Sequence, residues 1–344
     1  MKNTTYSVSE GMSLSEYSLE GFCNDRGLPR LDQVRYFFLN SQNPLDLKDL
    51  TWLYQKWRDT KEFLVLEKNQ YKNLRLESKR IAVKCAKRGN DVYQSRVKKR
   101  LGWMENIADI EFFSPKDVKK GVAYTSMIFF TLTYDTNRCS RNRAWLNIGK
   151  EFNRWITYMR KKYGRISVFR TYQGFKNGYP HIHGIAYFKE HKFKVFSQKD
   201  VDNKFHYRVY QKHNFEYGYH SFIDTEAVYS LRGAFGYVKR YALRYNEGSH
   251  GRSMQERGSP SDQDMALMWL FRKRSWSISG DFREKYHDLI KGLHISNEVQ
   301  TDLFGNHLRI EVWYRFVGIY TPAELKVSGS EWVYVLDSVD EYGK

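Results

Sequence analysis

The stretch Thr171-Tyr-Gln-Gly-Phe-Lys-Asn-Gly-Tyr-Pro-His-Ile-His-Gly-Ile-Ala-Tyr-Phe188 reads as two strands joined by a tight turn. Residues 166–173 have strand character, Lys176-Asn177-Gly178 is the turn, and 181–188 is the returning strand. Asn-Gly between two apolar runs signals a hairpin because both residues tolerate positive φ. On the second strand His181 and His183 stand two apart, so both imidazoles leave one face while Ile182 leaves the other. Such a pair is either two metal ligands or two ordinary polar strand residues.

Working outward, Ser126-Met-Ile-Phe-Phe-Thr-Leu-Thr-Tyr-Asp135 is apolar on both faces, as a central strand is. A helix is expected over 143–162, where Trp145, Ile148, Phe152, Trp155, Ile156 and Met159 form one stripe and Gly164 ends it. That regular period assigns the aromatics to the core rather than to a base-stacking surface. After the hairpin, a strand is expected near 206–210. Asp224-Thr-Glu-Ala reads as the N-cap of a helix reaching about residue 245, followed by a polar loop to 263. Residues 265–272 are expected to be helical, 274–279 a strand, and 308–335 β-rich.

The N-terminal part is read as an arm over 1–43 without sustained periodicity, then three helical segments from Pro44, over 61–87 and over 93–110. Leu50, Leu53, Tyr54 and Trp57 line one face of the first. Between 75 and 100, basic residues greatly outnumber acids. Arg80, Lys84, Lys87, Arg88, Lys98, Lys99 and Arg100 are the candidates for phosphate contacts, the alternative being a solvated helical face. The organisation expected is therefore an arm (1–43), a basic helical DNA-binding region (44–120), a catalytic domain (121–285) and a β-rich end (286–344).

A chain of 344 residues with 41% hydrophobic and 17% aromatic content can bury a sizeable core. Its net charge of +18 is spread along the sequence and favours a polyanionic partner. No apolar run approaches the roughly 20 residues that span a bilayer, and the first residues lack a signal-peptide pattern, so a soluble, cytoplasmic protein with no membrane partner is expected. Cys23, Cys85 and Cys139 are too few and too scattered for a disulfide framework or a thiolate metal site. No phosphate-loop motif is present, so no ATP-driven motor is expected.

In Gly236-Tyr-Val-Lys-Arg-Tyr-Ala-Leu-Arg-Tyr245, Tyr237 and Tyr241 share a helix face, and Arg240 and Arg244 repeat the spacing beside them. A phenol of pKa about 10 needs nearby positive charge to act as a nucleophile, which the arginines supply. Two histidines holding a divalent ion would polarise a phosphate oxygen. A tyrosine nucleophile, a Lewis acid and cations together suit phosphodiester transesterification on DNA. The alternative is an amphipathic helix with surface arginines.

Thr131-Leu-Thr, Pro180-His-Ile-His183 and Tyr237-x-x-Arg-Tyr-x-x-Arg244, in that order, resemble the three motifs of HUH endonucleases, in particular rolling-circle replication initiators of plasmids and viruses. Arg274-Ser-Trp-Ser-Ile-Ser-Gly280 is similar to the segment after the third motif in archaeal plasmid initiators. The resemblance covers about 125–245, extending towards 280. It implies an α+β fold: an HUH, ferredoxin-like core with a central antiparallel sheet flanked by helices, here with a helical N-terminal extension. It further implies Mg²⁺ or Mn²⁺ at His181 and His183, a 5′-phosphotyrosine intermediate and a free 3′-OH primer. The implied partners are single-stranded origin DNA with its flanking duplex, and a host helicase and polymerase. Tyr241 matches the nucleophile of single-tyrosine initiators, leaving Tyr237 as second nucleophile or structural ring.

Two positions depart from the family. Gln173 stands where a third, glutamate ligand is common; its amide oxygen can coordinate, but neutrally. Arginine replaces the lysine that follows each tyrosine and does not readily donate a proton. A transposase or relaxase of the same type, or a non-catalytic DNA-binding regulator on the same scaffold, are the other readings. His191, His206 and His213 match no motif and are expected to be structural or surface residues.

Overall fold

In the computed structural model, residues 19–24, 27–40, 46–72, 75–102, 112–134, 136–137, 139–174, 177–209, 220–230, 236, 262–282, 299–301, 307–309, 312–327 and 335–336 are described. The protein is a mixed α+β chain with antiparallel sheets. In order come helices α1 (Leu31–Asn40) and α2 (Leu47–Asp59), strands β1 (Phe63–Lys72) and β2 (Arg75–Lys84), and helices α3 (Asp91–Gly102) and α4 (Pro115–Lys119). Strands β3 (Tyr124–Thr125) and β4 (Met127–Tyr134) lead to the long helix α5 (Arg141–Tyr163). Then follow β5 (Ile166–Gly174), β6 (Pro180–Phe188), β7 (Phe193–Lys199), β8 (Phe205–Val209) and β9 (His220–Ala227). After the helix Asp262–Leu270 come β10 (Trp276–Ser279), β11 (Val299–Thr301), β12 (His307–Arg309), β13 (Val312–Tyr320), the short helix Pro322–Val327 and β14 (Val335–Leu336).

The main sheet runs β10-β5-β6-β4-β9, every neighbouring pair antiparallel. The histidine strand β6 is therefore central. The hairpin forms as expected, but its connection runs from Gly174 to its partner Pro180 rather than over Asn-Gly alone: Gly178 takes φ +81° while Asn177 does not take positive φ, and Asn177 Oδ1 accepts from the Tyr179 amide at 3.1 Å. Trp145 Nε1 donates to the Gly178 carbonyl at 2.7 Å, tying the turn to α5.

Strand alternation divides the two faces. Ile128, Phe130, Leu132, Val168, Tyr172, Ile182 and Ala186 pack with Trp145, Ile148, Phe152, Trp155, Ile156 and Met159 of α5 in one core. Ser140 caps that helix, accepting from the Arg143 amide at 3.4 Å, and Gly164 ends it at φ +81°. Trp145 and Trp155 are fully buried, each contributing on the order of 3 kcal/mol. Room for the neighbouring Phe130 ring depends on a glycine: a Cβ on Gly184 would lie 2.3 Å from Phe130 Cζ and 2.9 Å from the Phe169 carbonyl oxygen. The opposite face holds Met127, Phe129, Phe169 and Ile185 against Val97 and Leu101 of α3, with Val228 and Phe282.

Three expectations are overturned. Residues 61–87 do not form a helix: β1 and β2 are a two-stranded hairpin in continuous antiparallel register from Phe63↔Lys84 to Lys72↔Arg75. The cause is tertiary, because β13 pairs along the free edge of β1 and β14 pairs with β2. The 44–120 region is thus only partly helical, and it shares a four-stranded sheet with part of the 286–344 region. Asp224-Thr-Glu-Ala is not a helix N-cap but the end of β9, laddered to β4 through Thr131↔Asp224 and Ile128↔Ala227. Residues 31–40 of the supposed arm form α1, whose Val34 and Phe38 are buried in the α5-side core.

Other expectations stand. Asp46 caps α2, which buries Leu50, Leu53 and Tyr54. The strands expected near 206–210 and 274–279 are β8 and β10, and 265–272 falls largely in the helix Asp262–Leu270. Among the described residues no helix is long and apolar enough to cross a membrane.

Candidate functional site

Gln173, His181 and His183 converge on the face of the main sheet opposite α5. Register brings them together: Gln173 lies directly across from His181 on β5 and β6, and His183 lies two residues further along. Gln173 Oε1 sits 3.1 Å from His181 Nε2 and 3.0 Å from His183 Nε2. The imidazoles meet edge to face with centroids 4.6 Å apart. Phe129, next door on β4, stacks on His183 at 5.9 Å.

Thr131 is the cross-strand partner of His183, and its Oγ1 lies 3.0 Å from His183 Nδ1. An amide oxygen can only accept, so each Nε2 carries its hydrogen here and His183 Nδ1 accepts from the Thr131 hydroxyl. A cation at the same convergence would be met by the Nε2 lone pairs. The hydrogen would then sit on Nδ1, where the same hydroxyl can accept it. Threonine serves either tautomer because a hydroxyl both donates and accepts.

Both histidines are buried. Burial pushes the His181 pKa down to about 4, and it holds His183 well below its ordinary value, with His181 adding a smaller push. Both rings are therefore neutral at pH 7, the form that ligates metal. Two imidazole nitrogens and one amide oxygen fit a divalent ion, and they suit Mn²⁺ better than the harder, oxygen-seeking Mg²⁺. Among the described residues no group of three or more His, Cys, Asp or Glu side chains is placed to hold a metal.

The proposed nucleophiles and cations Tyr237, Tyr241, Arg240 and Arg244 lie outside the described residues, as does His213. Of the basic candidates, Arg80 on β2 and Lys98 on α3 are exposed. Lys84 is half-buried and paired with Asp91 at 2.7 Å. Lys99 and Arg100 fall within α3, with side chains outside the described set.

Lys87 and Arg88 are a correction. Lys87 is buried, pairs with Glu62 at 2.6 Å and donates to the carbonyls of Trp57 and Thr60 at 2.8 Å each. The Arg88 guanidinium is enclosed and donates to the Lys273 carbonyl, and burial lowers its pKa. Neither presents charge to a phosphate, because each closes a connection between elements.

One network had no sequence signal. Arg208 on β8 pairs with Asp224 on β9, and His206 bridges Asp200 and Glu226 at 2.9 and 2.8 Å. His206 is thus structural, as expected of a histidine without a motif. These pairs join β8 to β9 beside the histidine face, and only strand order could have revealed them. No family model matches the sequence, no curated protein matches it, and no solved structure matches the fold.

Proposed function

We propose that the chain is a rolling-circle replication initiator: a site-specific endonuclease and strand transferase that nicks and rejoins single-stranded DNA at a replication origin. The observation that carries the reading is the convergence of Gln173 Oε1 with both Nε2 atoms of His181 and His183 on the central strand of an antiparallel sheet. In this reading the β10-β5-β6-β4-β9 sheet with α5 is an HUH, ferredoxin-like core. The net charge of +18 suits a nucleic-acid substrate.

Mg²⁺ or Mn²⁺ held by Gln173, His181 and His183 would supply polarisation of a phosphate oxygen. Thr131 holds the orientation of the His183 ring through Nδ1, and the rigid strands hold the donor atoms in place. The Tyr241 oxygen attacks phosphorus, losing its proton to solvent, as the bond to the 3′ oxygen breaks. That oxygen takes up a proton and becomes the 3′-OH primer, while the 5′ phosphate stays on Tyr241. Arg240 and Arg244 balance the charge on the phosphoryl group. Attack by a 3′-OH on the phosphotyrosine reverses the step and rejoins strands, with Tyr237 as second nucleophile or packing ring. Exposed Arg80 and Lys98, with Lys84, Lys99 and Arg100, contact flanking duplex. In the host cytoplasm a host polymerase extends the primer while a host helicase unwinds the duplex ahead of it.

The test incubates the protein with each strand of the DNA flanking its gene and Mn²⁺, then maps covalent peptides by mass spectrometry. An adduct on Tyr241, lost in Tyr241→Phe, is expected. An adduct on Tyr237 alone, with Tyr241→Phe fully active, reverses the two roles, and no adduct from any origin strand defeats the reading.

A further inference from the structure

The small sheet β3-β7-β8 has two unlike faces. Its inner face buries Thr125, Phe193, Val195 and Val209. Its outer face carries Tyr124, Lys194 and Phe196, with Tyr124 directly across from Lys194, and Phe196 two residues further along β7. Tyr124 is 52% and Phe196 42% exposed. Core packing accounts for the inner rings and gives no reason for the outer ones.

The outer face is linked to the histidine face of the main sheet through a side-chain ion pair, and the two make one transverse row. Phe196 is the ladder partner of Arg208, Arg208 pairs with Asp224, Asp224 is laddered to Thr131, and Thr131 to His183. Three of the four steps are strand pairings of about 4.8 Å each, on the order of 15 Å together, and the fourth is the Arg208–Asp224 ion pair that joins the two sheets. Apart from Arg208, which is engaged by Asp224 and Glu226, the charges along 192–209 are Lys192, Lys194, Lys199 and Lys204 against Asp200 and Asp202. On the row the acid Asp224 is already neutralised by Arg208.

We propose that Tyr124 and Phe196 form a base-stacking platform for single-stranded DNA, with Lys194 contacting its backbone, and that the row delivers the strand to the histidine cluster. This deepens the nicking reading and rests on it for the direction of the strand. The chemistry is that of sequence-tolerant single-strand binding: aromatic rings take successive bases while interleaved cations track phosphates. An apolar protein partner would call for aliphatic neighbours, whereas the outer positions beside Phe196 on β7 are Lys194 and Gln198.

The experiment measures binding of a fluorescent oligothymidylate to the full chain by anisotropy, in EDTA and at fixed salt, so that cleavage plays no part. Phe196→Ala and Tyr124→Ala should each weaken binding about five-fold to about a hundred-fold. Phe196→Trp should restore it. Phe205→Ala, removing an exposed ring from a position of the other parity on β8, should leave it unchanged. Unchanged affinity in the Phe196→Ala/Tyr124→Ala double variant, with an unaltered circular dichroism spectrum, overturns the platform, as does tighter binding of oligouridylate through the same rings. Phe196-dependent binding without any tyrosine adduct would uphold the platform and defeat the nuclease. Adducts with ring-independent binding would do the reverse.

Discussion

Thr131 Oγ1 stands 3.0 Å from His183 Nδ1, on the side of the ring away from Gln173. The contact fixes the ring's orientation from a neighbouring strand. Thr131→Val keeps the shape but removes the hydroxyl, so Mn²⁺ affinity measured by calorimetry should fall about 10- to 100-fold. Thr131→Ser should retain most of it. Equal affinity in all three proteins would show that Thr131 does not position His183.

Gln173 offers a neutral oxygen between two neutral imidazoles. Gln173→Glu places a carboxylate at the same reach and should tighten divalent-ion binding, whereas His181→Ala/His183→Ala should abolish it. That double variant should keep oligonucleotide binding, which depends on phosphate and ring contacts elsewhere. An unchanged titration for Gln173→Glu would remove Gln173 from the ligand set.

Gly184 leaves no space for a side chain where the central strand meets Phe130. Gly184→Ala drives a methyl group into Phe130 and the Phe169 carbonyl, and such overpacking costs about 1–3 kcal/mol. The denaturant midpoint should drop accordingly with little change in slope. A midpoint equal to that of the parent protein would mean that Phe130 has room to swing aside.

Lys87 and Lys98 separate structural from surface charge. Lys87→Ala leaves Glu62 and two carbonyls without their donor, and breaking such a buried pair costs roughly 3–5 kcal/mol. Lys98→Ala should leave the midpoint unaltered and reduce the salt dependence of duplex binding. Equal melting temperatures for the two variants would contradict the burial of Lys87.

His206 makes the β8–β9 junction pH-sensitive. Its hydrogen bonds to Asp200 and then Glu226 raise its pKa above the ordinary value. The protonated form is therefore favoured in the folded chain, so its contribution is fully present below about pH 6.5, the unfolded value. It is lost as pH rises through the raised value. Melting temperatures of the parent and of His206→Ala should thus differ more at pH 6 than at pH 9, and a constant difference would refute the linkage.

The β5–β6 hairpin, strand β4 and helix α5 were legible in the sequence because each is specified by contacts a few residues apart. The Asn177-Gly178 signal marks where the chain turns, strand alternation puts His181 and His183 on one face, and a 3.6-residue period writes the stripe from Trp145 to Met159. That His181 and His183 share a face was equally plain, but their spacing alone left metal ligands and ordinary polar residues open, and Gln173 was singled out only by the resemblance to the family. Residues 61–87 were not legible, because their charged, leucine-containing sequence suits a helix until β13, more than 200 residues away, offers an edge to pair with. Asp224-Thr-Glu-Ala failed in the same way: its capping pattern is local, but hydrogen bonding along β4 outweighs it. Lys87 and Arg88 look like surface charge in any window of sequence, and only the packed chain encloses them. The row from Phe196 to His183 crosses five strands drawn from 125–230, so its order was decided by which strands found each other. Local periodicity is encoded residue by residue; adjacency across a sheet is a property of the whole fold.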